Sequence, residues 1–208
     1  MSSPPPPLTP AEFQAALSVS RETLARLEAY AALLGKWQKA INLVGPASLD
    51  DPWRRHFLDS AQLLALAPEE ARTWLDIGSG AGFPGLVLAI LGVPEMHLVE
   101  SDSRKCAFLR EAARITNTKI TIHNTRIESL PILPADVIIA RALAPMTRLL
   151  EWSERFFQNN TRCLFLKGRD AENELTLARK SWNIQLERLP SRSDPSGIIV
   201  SVKGFRRA

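Results

Sequence analysis

Trp74-Leu75-Asp76-Ile77-Gly78-Ser79-Gly80-Ala81-Gly82-Phe83-Pro84-Gly85 is the stretch on which the fold turns. Residues 73–77 read as a short apolar strand and 84–91 as a helix, so the glycines lie where strand becomes helix. Glycine lets the backbone turn tightly and approach a ligand without side-chain interference. Pro84 suits the first helical position, where its missing N–H is not needed. A second strand follows at 96–100 and ends on Glu100, an acid placed to accept hydrogen bonds from both hydroxyls of an adenosine ribose. The alternative is a structural turn with an incidental acid downstream. The order strand, loop, helix, strand and acid favours a nucleoside site.

Outward from this loop the alternation continues. A helix is expected at 104–115, strands at 119–123 and 136–140, a helix at 146–157, a strand at 163–167 and a helix at 171–181. Ile184 onward, with 198–202, reads as a closing hairpin. Short apolar strands alternating with helices imply an α/β fold, a Rossmann-like and mostly parallel sheet. Ahead of it, Thr9-Pro10-Ala11-Glu12 has the form of a helix start, with Thr9 as cap and Glu12 closing the capping box. Phe13, Leu17, Leu24, Leu27, Ala31 and Leu34 then recur at helical spacing. They form one amphipathic helix, or two with a joint near Ser18 to Ser20. A short helix carrying Arg54, Arg55, His56 and Asp59 comes next. The expected organisation is a disordered proline-rich tail (1–8) and a single domain (9–208). That domain divides into an N-terminal helical layer (9–68) and a Rossmann-like core (69–208).

The chain has 208 residues, 45% hydrophobic and 23% charged, an ordinary globular mixture sufficient for one full core. Lys and Arg number 26 against 22 Asp and Glu, and a net charge of +4 is compatible with a polyanionic partner without arguing for one. Cys106 and Cys163 suggest neither a disulfide framework nor a metal cluster. The N-terminus lacks the basic and apolar regions of a signal peptide, and no stretch reaches the roughly 18 apolar residues of a membrane span. A cytoplasmic protein without metal or membrane attachment is the resulting expectation.

The choice of nucleotide rests on charge. Dinucleotide folds present a helix N-terminus to a pyrophosphate. Here Phe83 stands where the third fingerprint glycine belongs, and Asp76 precedes the loop, where a carboxylate repels a pyrophosphate. S-adenosylmethionine has a cationic amino group and a sulfonium but no phosphate, so it is favoured over NAD. Two roles stay open for Asp76: meeting that amino group through the loop, or capping the loop. Arg141 ends the apolar strand Val137-Ile138-Ile139-Ala140 at the carboxyl edge, where open α/β sheets bind ligands, and burying it unpaired would be costly. Ile127 offers an apolar surface for a ring, or is a core residue. Glu128 meets an adenine edge, or is a solvated acid at a helix start.

Trp37-Gln38-Lys39-Ala40-Ile41-Asn42-Leu43 followed by Arg55-His56-Phe57-Leu58-Asp59-Ser60 resembles the N-terminal signature of the bacterial RsmG (GidB) family. The loop ending in Phe83-Pro84-Gly85 is similar to that family's cofactor motif, as are Thr125-Arg126-Ile127-Glu128, Ala140-Arg141-Ala142 and Leu166-Lys167-Gly168. The resemblance runs from Trp37 to Gly168. It implies a class I methyltransferase fold, with a seven-stranded sheet and an N-terminal helical layer. It also implies transfer of the S-adenosylmethionine methyl to N7 of a guanine in the 530 loop of 16S rRNA (guanine 527 in standard rRNA numbering), leaving S-adenosylhomocysteine. Together with the loop and acid read above, the cofactor residues are expected to be Asp76, Gly78, Gly80, Gly82, Phe83, Glu100, Ile127, Glu128 and Arg141. Gly78 and Phe83 would line the methionine and nucleoside side, Ile127 and Glu128 would flank the adenine, and Arg141 would lie near the incoming base. Many relatives carry an arginine before the final apolar strand; here Arg192 stands several residues away from that place.

Guanine N7 has an exposed lone pair, so no general base is expected and alignment should supply most of the rate. Reaching the pocket is expected to take the base out of its stack, at about a few kcal/mol. Arg141 and Lys167 are the candidate positioning cations for a phosphate or the guanine O6. His56 reads as part of a polar network between layers, and Trp37 as an interlayer anchor. Lys36, Lys39, Arg54, Arg55, Lys203, Arg206 and Arg207 form a diffuse cationic set able to meet phosphates. The expected partner is 16S rRNA or the small ribosomal subunit, bound by a monomer. Competing readings are a methyltransferase for another RNA, a protein or a small molecule, a non-catalytic ribosome-binding protein, and an NAD-linked dehydrogenase.

Overall fold

The computed structural model describes residues 5–208. Seven strands form one sheet in the order β3-β2-β1-β4-β5-β7-β6. They are β1 (Thr73–Ile77), β2 (Glu95–Glu100), β3 (Thr121–Asn124), β4 (Val137–Arg141), β5 (Arg162–Lys167), β6 (Trp182–Pro190) and β7 (Ile198–Arg207). The first five are parallel, and β7 runs antiparallel to both β5 and β6. The expected mostly parallel seven-stranded sheet is present, including the closing hairpin. The order reverses between β1 and β4, the switch point at which open α/β sheets form a crevice beyond their carboxyl ends.

The helices are α1 (Pro10–Leu17), α2 (Arg21–Trp37), α3 (Asp59–Ala61), α4 (Gly85–Ile90), α5 (Ser103–Ile115), α6 (Met146–Glu154) and α7 (Ala171–Ala178). Thr9 and Glu12 make the capping box of α1. Of the two possibilities for 9–34, the structure has the joint. Ser18 turns left-handed and Ser20 caps α2, which runs through Gly35 to Trp37. Most element ends differ from expectation by one to three residues, as frayed termini do, whereas β7 runs on to Arg207, five residues beyond the expected end. A wide π-helical turn at Trp53–Leu58 leads into α3 and buries Trp53, His56, Phe57 and Leu58.

Two apolar clusters lie on the faces of the sheet. One joins the helical layer, α4 and α5 to the sheet through Phe13, Tyr30, Phe57, Phe83 and Phe108. The other packs α6 and α7 on the opposite face. Trp37 meets the edge of Phe108 at 5.6 Å, the interlayer anchor anticipated for it. Cys106 and Cys163 are buried free thiols. Residues 1–4 of the proline-rich tail lie outside the described residues. Within the rest, Pro6 O accepts from Arg54 and Leu8 N donates to Asp51, which ties the chain to the helical layer before α1. Among the described residues no helix is long and apolar enough to cross a membrane, and no cluster of metal-ligating side chains occurs.

Candidate active site

A cavity of about 880 Å³ opens at the carboxyl edge of the sheet over the β1–β4 switch point. Of the residues singled out in the sequence, Gly78, Gly80, Phe83, Glu100, Arg141 and Lys167 line it. Each stands at or just beyond the end of a parallel strand: β1 for the loop, then β2, β4 and β5. His56 and Asp59 line it from the helical layer, and Ser191, Ser193 and Asp194 from the β6–β7 connection.

The loop has the backbone its glycines permit. Gly78 and Gly80 lie at φ +72° and +56°. A Cβ at Gly78 would run into the Leu143 side chain, which would have to move aside, and the positive φ adds backbone strain for any other residue. Gly80 N–H donates to Glu100 Oε2 at 2.9 Å and Asp102 N–H to Oε1 at 2.7 Å. These two donors fix the carboxylate at the cavity wall, with lone pairs remaining for a diol.

Asp76 lies behind the loop, fully buried, and does not line the cavity. Its Oδ2 accepts from Gly85 N–H at 3.0 Å, and Oδ1 is buried without a partner. Of the two roles left open, the one visible here is capping. A dinucleotide site would need the first N–H groups of α4 for its pyrophosphate. Gly85 N–H is instead given to Asp76, and Leu86 N–H to Gly82 O. A nucleoside cofactor without phosphate therefore suits this cradle: a fixed acid for a ribose, a bare loop, and a carboxyl behind it that occupies the first N–H of α4. S-adenosylmethionine meets those requirements, and the cavity volume is ample for it.

Burial raises the Asp76 pKa from 3.8 to about 7, partly opposed by the Gly85 N–H. The folded state thus holds this proton more tightly than the unfolded chain. Stability is fully retained below pH ~4 and falls as pH rises from there to about 7, by a few kcal/mol for this group alone. Asp76→Asn keeps an acceptor for Gly85 and removes the charge. The melting temperature of the variant relative to the parent is expected to rise between pH 5 and pH 8. A difference that does not change with pH would contradict this assignment of the proton.

Arg141 joins the layers. Its Nη1 donates to Arg55 O (3.0 Å) and His56 Nδ1 (2.9 Å) and lies 3.5 Å from Asp59 Oδ2, while the guanidinium sits 5.0 Å from the Phe83 ring centroid. His56 stacks on the same ring at 4.7 Å. Asp59 Oδ1 in turn accepts from Gln62 and from the Ser193 hydroxyl. The Asp59 carboxyl is raised above its ordinary value by burial, against the pull of Arg141. Lys167 is nearly enclosed. It pairs with Glu174 at 2.5 Å and donates to Ala144 O at 2.9 Å, while Glu174 also accepts from Met146 N–H. Its ammonium therefore pins the β4–α6 loop, in which Ala142 adopts φ +49°.

Three other singled-out residues face elsewhere. Gly82, at φ +91°, faces the helical layer, where a Cβ would meet Tyr30 Oη at 2.8 Å. The Tyr30 hydroxyl donates to Ala81 O, so the layer grips the loop from behind. Ile127 is buried in the cluster beneath α6. Glu128 turns to α6, accepting from Trp152 Nε1 at 2.9 Å. Arg192 is exposed outside the cavity lining, with its backbone N–H on Gln62. Of the cationic set, Arg54 is paired with Asp51, Lys203 with Glu187 and Arg207 with Glu154. Lys203 also lines a separate cavity with Asp136 and Arg162, at the opposite edge of the sheet. Arg55, paired with Asp194, lines the site. Sequence reasoning missed Tyr30, Leu143 and Glu174. Tyr30 carried a usable signal, since it falls between Leu27 and Leu34 on the buried face of α2.

The family model described as GidB, rRNA small subunit methyltransferase G, matches residues 23–194. A Ribosomal RNA small subunit methyltransferase G from Rhodospirillum rubrum is 60% identical over 201 residues, covering 97% of this chain and all of the relative. One from Rhodospirillum centenum is 58% identical over 197 residues, 95% of this chain and 91% of the relative. A solved structure of a putative O-methyltransferase from Klebsiella pneumoniae superposes with a TM-score of 0.61 at 13% identity, covering 93% of this chain and 94% of that one.

Proposed function

The chain belongs to the rRNA small subunit methyltransferase G (GidB) family, and from that premise we propose that it transfers a methyl group from S-adenosylmethionine to N7 of a guanine in the 530 loop of 16S rRNA. S-adenosylmethionine supplies the methyl as an electrophilic substituent on a sulfonium. Glu100, held by the N–H groups of Gly80 and Asp102, is the acceptor for the ribose hydroxyls. Gly78 and Gly80 give the cofactor close approach to the backbone, and Asp76 keeps the start of α4 closed to phosphate. Ile127 and Glu128 come to the adenine end from the family resemblance alone: neither lines the cavity, and the Glu128 carbonyl already accepts from Arg155.

Guanine N7 presents a lone pair and needs no proton removed, so the protein's task is alignment and exclusion of water. Arg141 meets the guanine edge. The observation that carries this reading is its geometry: Nη1 is spent on the helical layer, while among the described residues Nε and Nη2 have no protein partner. Lys167 acts indirectly, by holding the loop beside Gly78 through Ala144 and Glu174. Among the described residues the large exposed apolar side chains, Leu64, Ile132, Leu143 and Leu177, are far apart in the sequence, which supports a monomer acting on RNA or on the small subunit.

The test uses purified protein, methyl-labelled S-adenosylmethionine, and small-subunit RNA or particles lacking the expected methyl group, followed by mapping of the labelled nucleoside. Label is expected on N7 of the 530-loop guanine. Label on another nucleoside would keep methyl transfer and overturn the target. No label from naked RNA or particles, despite cofactor binding, would overturn the rRNA reading.

A further inference from the structure

His56 sits in the wall between the helical layer and the sheet, and its hydrogen bonds determine its protonation state. Arg141 Nη1 approaches His56 Nδ1 at 2.9 Å. A guanidinium has only donors, so Nδ1 must be a bare acceptor. The ring's one proton is then on Nε2, which lies 2.8 Å from Ser48 Oγ. That hydroxyl has its own proton occupied, donating to Gly45 O at 2.6 Å, and so accepts from the imidazole. The order runs without conflict: Arg141 to His56, His56 to Ser48, Ser48 to Gly45. The ring lies flat on Phe83, 4.7 Å between centroids at 23°, and Phe83 also carries the guanidinium. The charged groups around it are Arg141 from β4 and Arg55 from its own turn. Asp59 and Asp194 serve those arginines rather than the imidazole. Burial, then the two guanidinium groups, depress the His56 pKa to about 3, so the ring is neutral throughout the working range.

We propose that His56 is a positioning residue for methyl transfer. Its neutral Nδ1 holds one arm of Arg141 against the helical layer, so that the two remaining donor groups of the guanidinium point at the target base. The proposal rests on the methyl-transfer reading above and adds to it a residue that acts through its hydrogen bond to Arg141. The acceptor property of Nδ1 is what matters, beyond the packing of the ring. A protonated imidazole would present an N–H to the guanidinium and release it. Without this acceptor, Nη1 keeps only the Arg55 carbonyl and a 3.5 Å approach to Asp59. The arginine is then free to turn toward Asp59 and lose its aim.

Two variants and one spectrum test this. His56→Phe keeps an aromatic ring on Phe83 and has no acceptor. His56→Asn brings an amide oxygen to about the place of Nδ1. With the cofactor affinity and melting temperature of each variant measured alongside, His56→Phe is expected to lower kcat/KM for RNA at least tenfold and leave the S-adenosylmethionine Kd within about twofold. His56→Asn is expected to recover most of that loss despite its poorer stacking. A merely structural histidine would give the reverse order, with the ring-preserving variant the more active. Equal turnover by His56→Phe and the parent, or an asparagine variant no better than the phenylalanine one, overturns the proposal. In the parent protein labelled with 15N-histidine, the His56 ring is expected as the Nε2–H tautomer, without titration between pH 6 and pH 9. A proton on Nδ1, or titration in that range, overturns it without any appeal to activity. A failure of the methyl-transfer reading would show differently, as absence of label from the parent protein.

Discussion

Replacing Phe83 with alanine is expected to lower stability by about 3–5 kcal/mol, the range for truncating a buried aromatic, and to remove activity with it. For a chain of this size that is a fall in melting temperature of roughly 6–20 °C. The size follows from what meets the ring. Phe83 is 3% exposed, stacks on Tyr30 at 5.2 Å and on His56 at 4.7 Å, and takes the edge of Phe57 at 5.4 Å. The Arg141 guanidinium rests on the same ring at 5.0 Å. The cavity left behind would therefore border the helical layer and the active site at once. Phe83→Leu separates the two consequences. It keeps most of the volume and should cost under about 1.5 kcal/mol. It also removes the flat face that seats His56 and Arg141, so methyl transfer is expected to fall well beyond what the loss of folded protein explains. A leucine variant with full turnover would reduce Phe83 to a packing residue.

Phe83 also shows what could and could not be read in the sequence. Its substitution for a third fingerprint glycine was visible, and it argued against a dinucleotide. Its ring partners come from positions 30, 56, 57 and 141, and only folding brings those together. Strand ends were legible because an apolar run stopping on Glu100 or Arg141 marks the carboxyl edge of a parallel sheet, where polar side chains have a crevice to enter. Side-chain direction within the loop was not. Gly78, Gly80 and Gly82 look equivalent in sequence, yet the first two line the cavity and the third faces Tyr30. Asp76 could be assigned to the loop but not to one of its sides. The pairing of Lys167 with Glu174 depends on how α7 turns back over the end of β5, which also brings Glu174 to the Met146 N–H of α6, an arrangement with no sequence signature. Arg54, Lys203 and Arg207 looked like cations available to RNA and instead have acidic partners within the chain.

Arg141→Ala is expected to reduce kcat/KM for RNA at least about 10- to 150-fold, the equivalent of losing one or more charge-assisted hydrogen bonds of about 1.5–3 kcal/mol to the base. Folding should suffer less than activity. Arg141 is not the only support for Asp59, whose Oδ1 keeps the Gln62 amide and the Ser193 hydroxyl, and burial already raises its pKa, so it takes up a proton readily once the arginine is gone. Arg141→Lys is the sharper comparison. Lysine restores the charge but has a single nitrogen, whereas arginine bonds the helical layer with Nη1 and keeps Nε and Nη2 for a ligand. If charge near the base were sufficient, the lysine variant would recover most of the activity. If the fork matters, it should stay within a few fold of alanine while melting close to the parent. Cofactor affinity should change little in either variant, because the Glu100 carboxylate is held by Gly80 and Asp102 and not by Arg141. A large loss of S-adenosylmethionine binding would move Arg141 from the base to the cofactor. Normal turnover in the alanine variant would remove it from the reaction altogether.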